Sequence, residues 1–197
     1  MTEATRQQLS GEQLAELLTL LKAADSVELK LTVPETDQRS AVAALDMDPL
    51  AAQLRQVVFF ETPDLMLDRL GVVVRARRVQ GVGDDSVIKL RPIDPDGMSK
   101  RLRSSPNFVI EVDAMPGGFV CSGSLKAQLG RTDVRKVLAG RSPVRTLFTK
   151  KQRKVLTAAA PEAPGLDDLT PLGPINVMKL KLAPKGYGRR LVVELWF

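Results

Sequence analysis

The stretch SVELKLTV, residues 26–33, sets Val27, Leu29, Leu31 and Val33 on one side of an extended chain and Ser26, Glu28, Lys30 and Thr32 on the other. Alone it is an ordinary half-buried strand. What matters is whether other strands repeat its charged side. Charged pairs two residues apart do recur along the chain: Arg75 and Arg77, Lys89 and Arg91, Glu111 and Asp113, Lys151 and Arg153, Lys179 and Lys181. Apolar residues surround most of them and face the other way. Simple alternation also describes a solvated antiparallel sheet. The signs argue for something else, because four of the pairs are purely basic and one is purely acidic. Two like charges about 7 Å apart repel by roughly 2 kcal/mol at an effective dielectric near 20. Adjacent basic strands multiply that cost unless a polyanion or interleaved carboxylates offset it.

Composition limits what such a face can do. The chain has 197 residues, one Cys, no His, and a formal net charge of +6. That length suits one sizeable core. Without histidine there is no Ser-His-Asp triad, no Cys-His pair and no His-ligated zinc. The lone Cys121 excludes an internal disulfide framework. No apolar run approaches the roughly 18 residues that a membrane helix needs, and MTEATRQQ lacks the layout of a secretory signal. The expectation is a cytoplasmic protein with an anionic partner and no membrane. Nucleic acid is a poor candidate except through a triphosphate end, since the strands that would bind it carry almost no aromatic residues for base stacking.

Periodicity and turn signals predict the elements. Ser10 with Gln13 fits a capping box, and Leu14, Leu17, Leu18 and Leu21 fall on one face of a helix over 11–23. A second helical patch covers 38–45. Strands follow at 57–63, in GVVVRARRV and SVIKLRP joined by GVGDD, and in FVIEVDAM closed by a Pro-Gly turn. A short helix from Asp64 to Leu70 lies between the first two. Two further short helices are expected after Ser122 or Ser124 and after Asp133. RTLFTKKQRKVL reads as a strand, 157–174 as a surface loop, and INVMKLKLA and RRLVVELWF as the closing strands. The total is seven or eight strands with helices interposed, an α+β chain dominated by antiparallel sheet.

If these strands close into an eight-stranded antiparallel β-barrel with charge inward, the result is a polar tunnel with a charged interior and flanking helices. Its carboxylates suit Mg²⁺ or Mn²⁺, which take oxygen ligands and bridge substrate phosphates. The residues also match a family. VELKL resembles the E-x-E-x-K strand of the CYTH domain, or triphosphate tunnel metalloenzyme, superfamily. FFETPDLMLDRLGVVVRARR is similar to that family's Y-F-D-T-P…L-R-x-R stretch, and SVIKLRP to its L-K-x-R strand. FVIEVDAMPGG, LFTKKQRK and VMKLKL continue the resemblance in order. It covers residues 26–197, leaving 1–25 as an N-terminal helical extension.

The resemblance implies metal-dependent hydrolysis of tripolyphosphate or an organic triphosphate. It makes Glu28 and Lys30 catalytic, and gives phosphate binding to Lys30, Arg75, Arg77, Lys89, Arg91, Arg153, Lys179 and Lys181. Glu28, Glu111, Asp113 and Glu194 would hold the metal. Ser26 stands where the motif has its first Glu. Only Glu194 remains of the last E-x-E motif, so the domain is expected to be truncated before its last strand. These departures leave a second reading open, a polyphosphate-binding or phospho-ligand-binding module with impaired catalysis. A cyclase within the same fold is a third, although no adenine-reading feature is visible.

Overall fold

The computed structural model describes residues 10–184, 186, 188 and 190–197. Six α-helices and eight strands alternate along them: α1 (Gly11–Ala23), β1 (Ser26–Leu29), α2 (Gln38–Ala44), β2 (Gln53–Glu61), α3 (Met66–Arg69), β3 (Val72–Val79), β4 (Asp85–Leu90), α4 (Lys100–Arg103), β5 (Phe108–Met115), β6 (Gly118–Gln128), α5 (Asp133–Leu138), α6 (Lys150–Ala159), β7 (Thr170–Leu182) and β8 (Leu191–Trp196). The strands form one eight-stranded sheet in the order β1-β5-β6-β4-β3-β2-β7-β8. The α+β class and the strand number match the expectation. No helix among the described residues is long and apolar enough to cross a membrane.

The sheet is mixed rather than purely antiparallel. β1 runs parallel to β5, with Ser26 opposite Glu111 and Glu28 opposite Asp113. The long chain between the two strands permits this pairing, which a tight turn could not. Asp25 sets the register: its backbone N–H donates to the Ile110 carbonyl, and its carboxylate accepts the Ile110 N–H at 2.8 Å.

The chain forms two compact units, one comprising the residues up to Thr32 with Lys89–Leu125, the other Val33–Ile88 with Lys126–Phe197. In the first unit, Phe108, Ile110, Val112, Cys121 and Leu125 are buried along the β5–β6 hairpin. Gly123 is small by necessity, since a Cβ there would lie 2.6 Å from the Phe108 ring. In the second unit, Val58, Phe60, Val74 and Ala76 share one face of β2 and β3, and Leu67, Val134, Leu147, Phe148 and Leu156 are buried with them. Phe60 and Phe148 meet edge to face, with centroids 6.0 Å apart.

Three expected elements differ. Residues 150–159 are a helix, not a strand, because Thr149 and Gln152 form a capping box and Gln152 is buried against Ser86. Residues 118–128 are strand β6, in which Ser122 and Ser124 are buried rather than capping a helix. The segment expected as a loop over 157–174 is one in its middle, 160–169, with a short 3-10 turn at Leu166–Asp168, but its ends belong to α6 and β7. Pro171 and Pro174 fit there because β8 pairs only with the later part of β7, leaving this stretch an edge on that side. Gly173, at φ +111°, sits where β7 shifts register against β2, and a Cβ would approach the Val57 carbonyl oxygen to 2.8 Å. The turn residues Lys185 and Tyr187 of PKGYG lie outside the described residues.

Removing the Phe148 ring vacates a buried, edge-packed site. Phe148→Ala is expected to lower unfolding stability by about 3–5 kcal/mol, measured by urea denaturation with an unchanged m-value.

Candidate functional site

Alternation along β2, β3 and β4 determines which charges gather in the second unit. With Val58, Phe60, Val74 and Ala76 committed to the core, the intervening Arg55, Arg75 and Arg77 must emerge on the opposite face. Arg77 lies across from Asp85 of β4 and holds it bidentately, with Nε 2.9 Å from Oδ1 and NH2 2.8 Å from Oδ2. Lys179 of β7 is the register partner of Glu194 on β8, and its Nζ lies 3.1 Å from Glu194 Oε1. The same oxygen is 3.9 Å from Arg55 NH1, while Arg55 also donates to Gln53 Oε1 at 2.6 Å. Burial, followed by the neighbouring Arg77 charge, lowers the Arg55 guanidinium below its ordinary pKa.

Arg75 differs from its neighbours. It forms no ion pair or hydrogen bond among the described residues, and its Nε is buried without a partner. Burial first, and the adjacent Arg77 second, depress it to about 10. It is still a cation at neutral pH, and it is costly to keep there. Asp85 and Glu194 offset part of that cost through space but neither pairs with it directly, and a bound anion relieves a buried charge held in this way.

In the first unit, charge collects around Asp113 of β5, whose side chain is only 2% exposed. Its Oδ1 is 2.8 Å from Lys30 Nζ, just beyond β1, and its Oδ2 is 3.1 Å from Lys89 Nζ at the end of β4. Glu28 lies 3.4 Å from Lys30, and Glu111 lies 4.0 Å from Lys89. Burial alone would raise Asp113, but hydrogen bonds from Lys30 and Lys89 and their charges outweigh it and hold the carboxyl below its ordinary range. Burial would likewise lower Lys30, yet Asp113 and then Glu28 raise it.

The structure therefore sorts the sequence-derived residues into two groups. Glu28, Lys30, Lys89, Glu111 and Asp113 come together in the first unit, and Arg75, Arg77, Lys179 and Glu194 in the second. Arg91 lies one residue past β4 and is exposed, so it does not continue the Lys89 side of that strand. Lys181 shares the Lys179 side of β7 but is exposed opposite Val192. Arg153 is on helix α6, where its NH1 donates to the carbonyls of Phe148 at 2.7 Å and Arg145 at 3.2 Å. Two participants carry no clear signal in the residue spacing. Arg55 lies upstream of the strand predicted over 57–63, two residues before Val57, and β2 in fact starts at Gln53. Asp85 reads as part of the GVGDD turn, whereas it opens β4.

Among the described residues, no three Asp, Glu, Cys or His side chains converge closely enough to hold a metal ion by themselves. Mg²⁺ commonly uses only one or two carboxylates and completes its shell with water and phosphate oxygens. Glu28 and Asp113, register partners on adjacent strands, offer that many. Ser26 stands opposite Glu111 and contributes no anion.

No protein-family model matches the chain, and no curated protein sequence does. Solved structures that share its fold include two candidate adenylyl cyclases. One is a candidate adenylate cyclase from Bacillus halodurans, 11% identical, with a TM-score of 0.54 over 84% of this chain and 69% of that one. The other is a candidate adenylyl cyclase from Hippeastrum whose dominant activity is triphosphatase, 15% identical, with a TM-score of 0.54 over 82% and 68%. The chain has the CYTH, or triphosphate tunnel, fold.

Because the Asp113 carboxyl is depressed, the stability it contributes is present above its unfolded value of 3.8 and is lost as pH falls through its lower folded value. Asp113→Asn should cost about 3 kcal/mol at pH 7. It should also flatten the acid limb of the stability–pH curve below pH 4, as read from chemical denaturation at successive pH values.

Proposed function

We propose that this protein binds and hydrolyses inorganic tripolyphosphate or an organic triphosphate, and that Arg75 is its principal phosphate contact. One observation carries the reading: a buried guanidinium with no direct ion pair among the described residues, flanked by Arg55, Arg77 and Lys179 on the same sheet face. A triphosphate presents non-bridging oxygens in a row, which suits several cations spaced along neighbouring strands. Arg77 and Lys179 can bind it by sharing or exchanging Asp85 and Glu194, while Arg75 has nothing to give up. In the transition state, charge grows on the leaving phosphate, and fixed guanidinium groups stabilise it without reorganisation. The triphosphatase activity of the Hippeastrum protein supports this substrate class.

Glu28 and Asp113 are the proposed holders of Mg²⁺ or Mn²⁺, which would supply a Lewis acid for phosphate oxygens and lower the pKa of a bound water. Lys30 would stay an ammonium, since Asp113 and Glu28 raise its pKa, and so acts by charge rather than as a base at neutral pH. The alternative is a phospho-ligand-binding module without turnover. It is favoured by Ser26, which leaves Glu111 facing a hydroxyl where the motif has a carboxylate.

The test is phosphate release from tripolyphosphate, thiamine triphosphate and ATP, each with Mg²⁺, Mn²⁺ or EDTA. Metal-dependent release is expected for at least one of them. Arg75→Gln should weaken binding of that substrate by about 10- to 100-fold, the cost of a charge-assisted contact of roughly 1.5–3 kcal/mol. Binding without release in every metal condition would select the alternative, and no binding would reject both.

A further inference from the structure

The net charge of +6 is not spread evenly. Residues 126–154 carry ten Lys and Arg against one Asp, whereas the rest of the chain carries nineteen against twenty-two. The positive excess that points to an anionic partner therefore lies in one segment, and the arginines of the sheet face do not produce it. That segment includes α5 and the first half of α6 and belongs wholly to the second unit.

Burial of its apolar residues leaves the cations outside. α5 buries Val134 and Val137, and α6 buries Gln152 and Leu156. Arg131, Arg135, Lys136, Arg141, Lys150 and Lys154 are exposed. Phe148, just before α6, packs against Phe60 of β2, so the segment covers the face of β2 and β3 opposite Arg75 and Arg77.

Two features show that these charges do not serve the fold. Among the described residues, only Lys136 and Arg145 of the ten form an ion pair, with Asp133 and Asp167. Lys150 and Lys151 occupy the first turn of α6, which holds no acidic residue, although the positive end of the helix dipole lies there. Lys154 adds a like charge one turn after Lys150. A local rule broken without structural gain marks a functional surface.

What the surface lacks decides its partner. Phe148 is the segment's one aromatic residue and is buried, and Leu138, 37% exposed, is its one exposed large apolar residue. A protein partner is gripped through aromatic and apolar anchors, and Lys is depleted at such interfaces. Membrane attachment needs an apolar face or a lipid chain beside the basic charge. Single-stranded nucleic acid needs rings on which its bases stack, and RNA duplexes are read partly through their 2′-hydroxyls. A DNA duplex needs none of these, since its phosphates present one negative charge per roughly 1.7 Å of axis.

We propose that the outer surface of α5 and α6 docks double-stranded DNA through its phosphates, without choice of sequence. The surface is separate from the proposed triphosphate contacts and does not depend on that reading.

Fluorescence anisotropy with a labelled DNA duplex tests it, on the whole chain, on the double variant Lys150→Glu, Lys151→Glu, and on Arg75→Gln. The intact chain should bind duplexes of unrelated sequence alike, with an affinity that falls about 100-fold or more between about 50 and 200 mM salt. The double variant should weaken binding about tenfold or more and raise the melting temperature, because acidic residues suit the start of a helix. Arg75→Gln should leave duplex affinity unaltered. The proposal is overturned if the duplex does not bind, or if a single strand of the same length or vesicles rich in phosphatidylserine bind more tightly. It is equally overturned if the double variant binds as tightly as the intact chain or melts lower, or if Arg75→Gln loses the duplex.

Discussion

A strand cannot choose the sides of its residues independently. Once Val58 and Phe60 on β2, and Val74 and Ala76 on β3, are buried together, Arg55, Arg75 and Arg77 have no option but the opposite face. The free energy of apolar burial thereby pays for a concentration of cations that electrostatics alone would disperse. A slip of one residue would drive the arginines into the core and expose the valines. The same register that fixes the fold thus fixes the charged surface, and neither can drift without the other.

The protein handles that charge differently at each position. Asp85 fully engages Arg77, and Glu194 is divided between Lys179 and Arg55. Asp113 is divided between Lys30 and Lys89. Shared carboxylates hold their cations in place without saturating them, so an incoming anion meets groups that are oriented and still have capacity. Arg75 is the limiting case, buried with no direct ion pair and offset only through space by Asp85 and Glu194. Its depressed pKa reflects the cost of holding it so. Removing the Arg75 charge would relieve strain in the empty protein while weakening its hold on an anion.

Much of this was legible from residue spacing. Period-two charge in VVVRARRV and IEVDAM predicted β3 and β5 and the shared side of each charged pair, because alternation is a local property. The α1 capping box was equally local. The Thr149–Gln152 box has the same form, and the charge spacing of KKQRK concealed it: Lys151 and Arg153 look like strand neighbours only if the helix signal is overlooked. β7 carries two prolines and a glycine in its first half, residues that argue against a strand unless its edge position is known. That position is set by β8, a tertiary fact no local pattern contains. Asp85 was concealed for a similar reason, since Gly-Asp-Asp reads as a turn until the partner strand shows where pairing starts.

β1 differs from every other strand in being exposed along its whole length, and Leu29 and Leu31 are 81% and 78% exposed. Its hold on the sheet is therefore mainly its backbone ladder to β5 and the Asp25 clamp. Segments secured in this way exchange their amide hydrogens through local opening, long before the molecule unfolds. Glu28 therefore rides on a hinged margin, whereas Asp113, its partner across the ladder, is anchored in the interior of the hairpin. The two carboxylates that face each other keep different clocks.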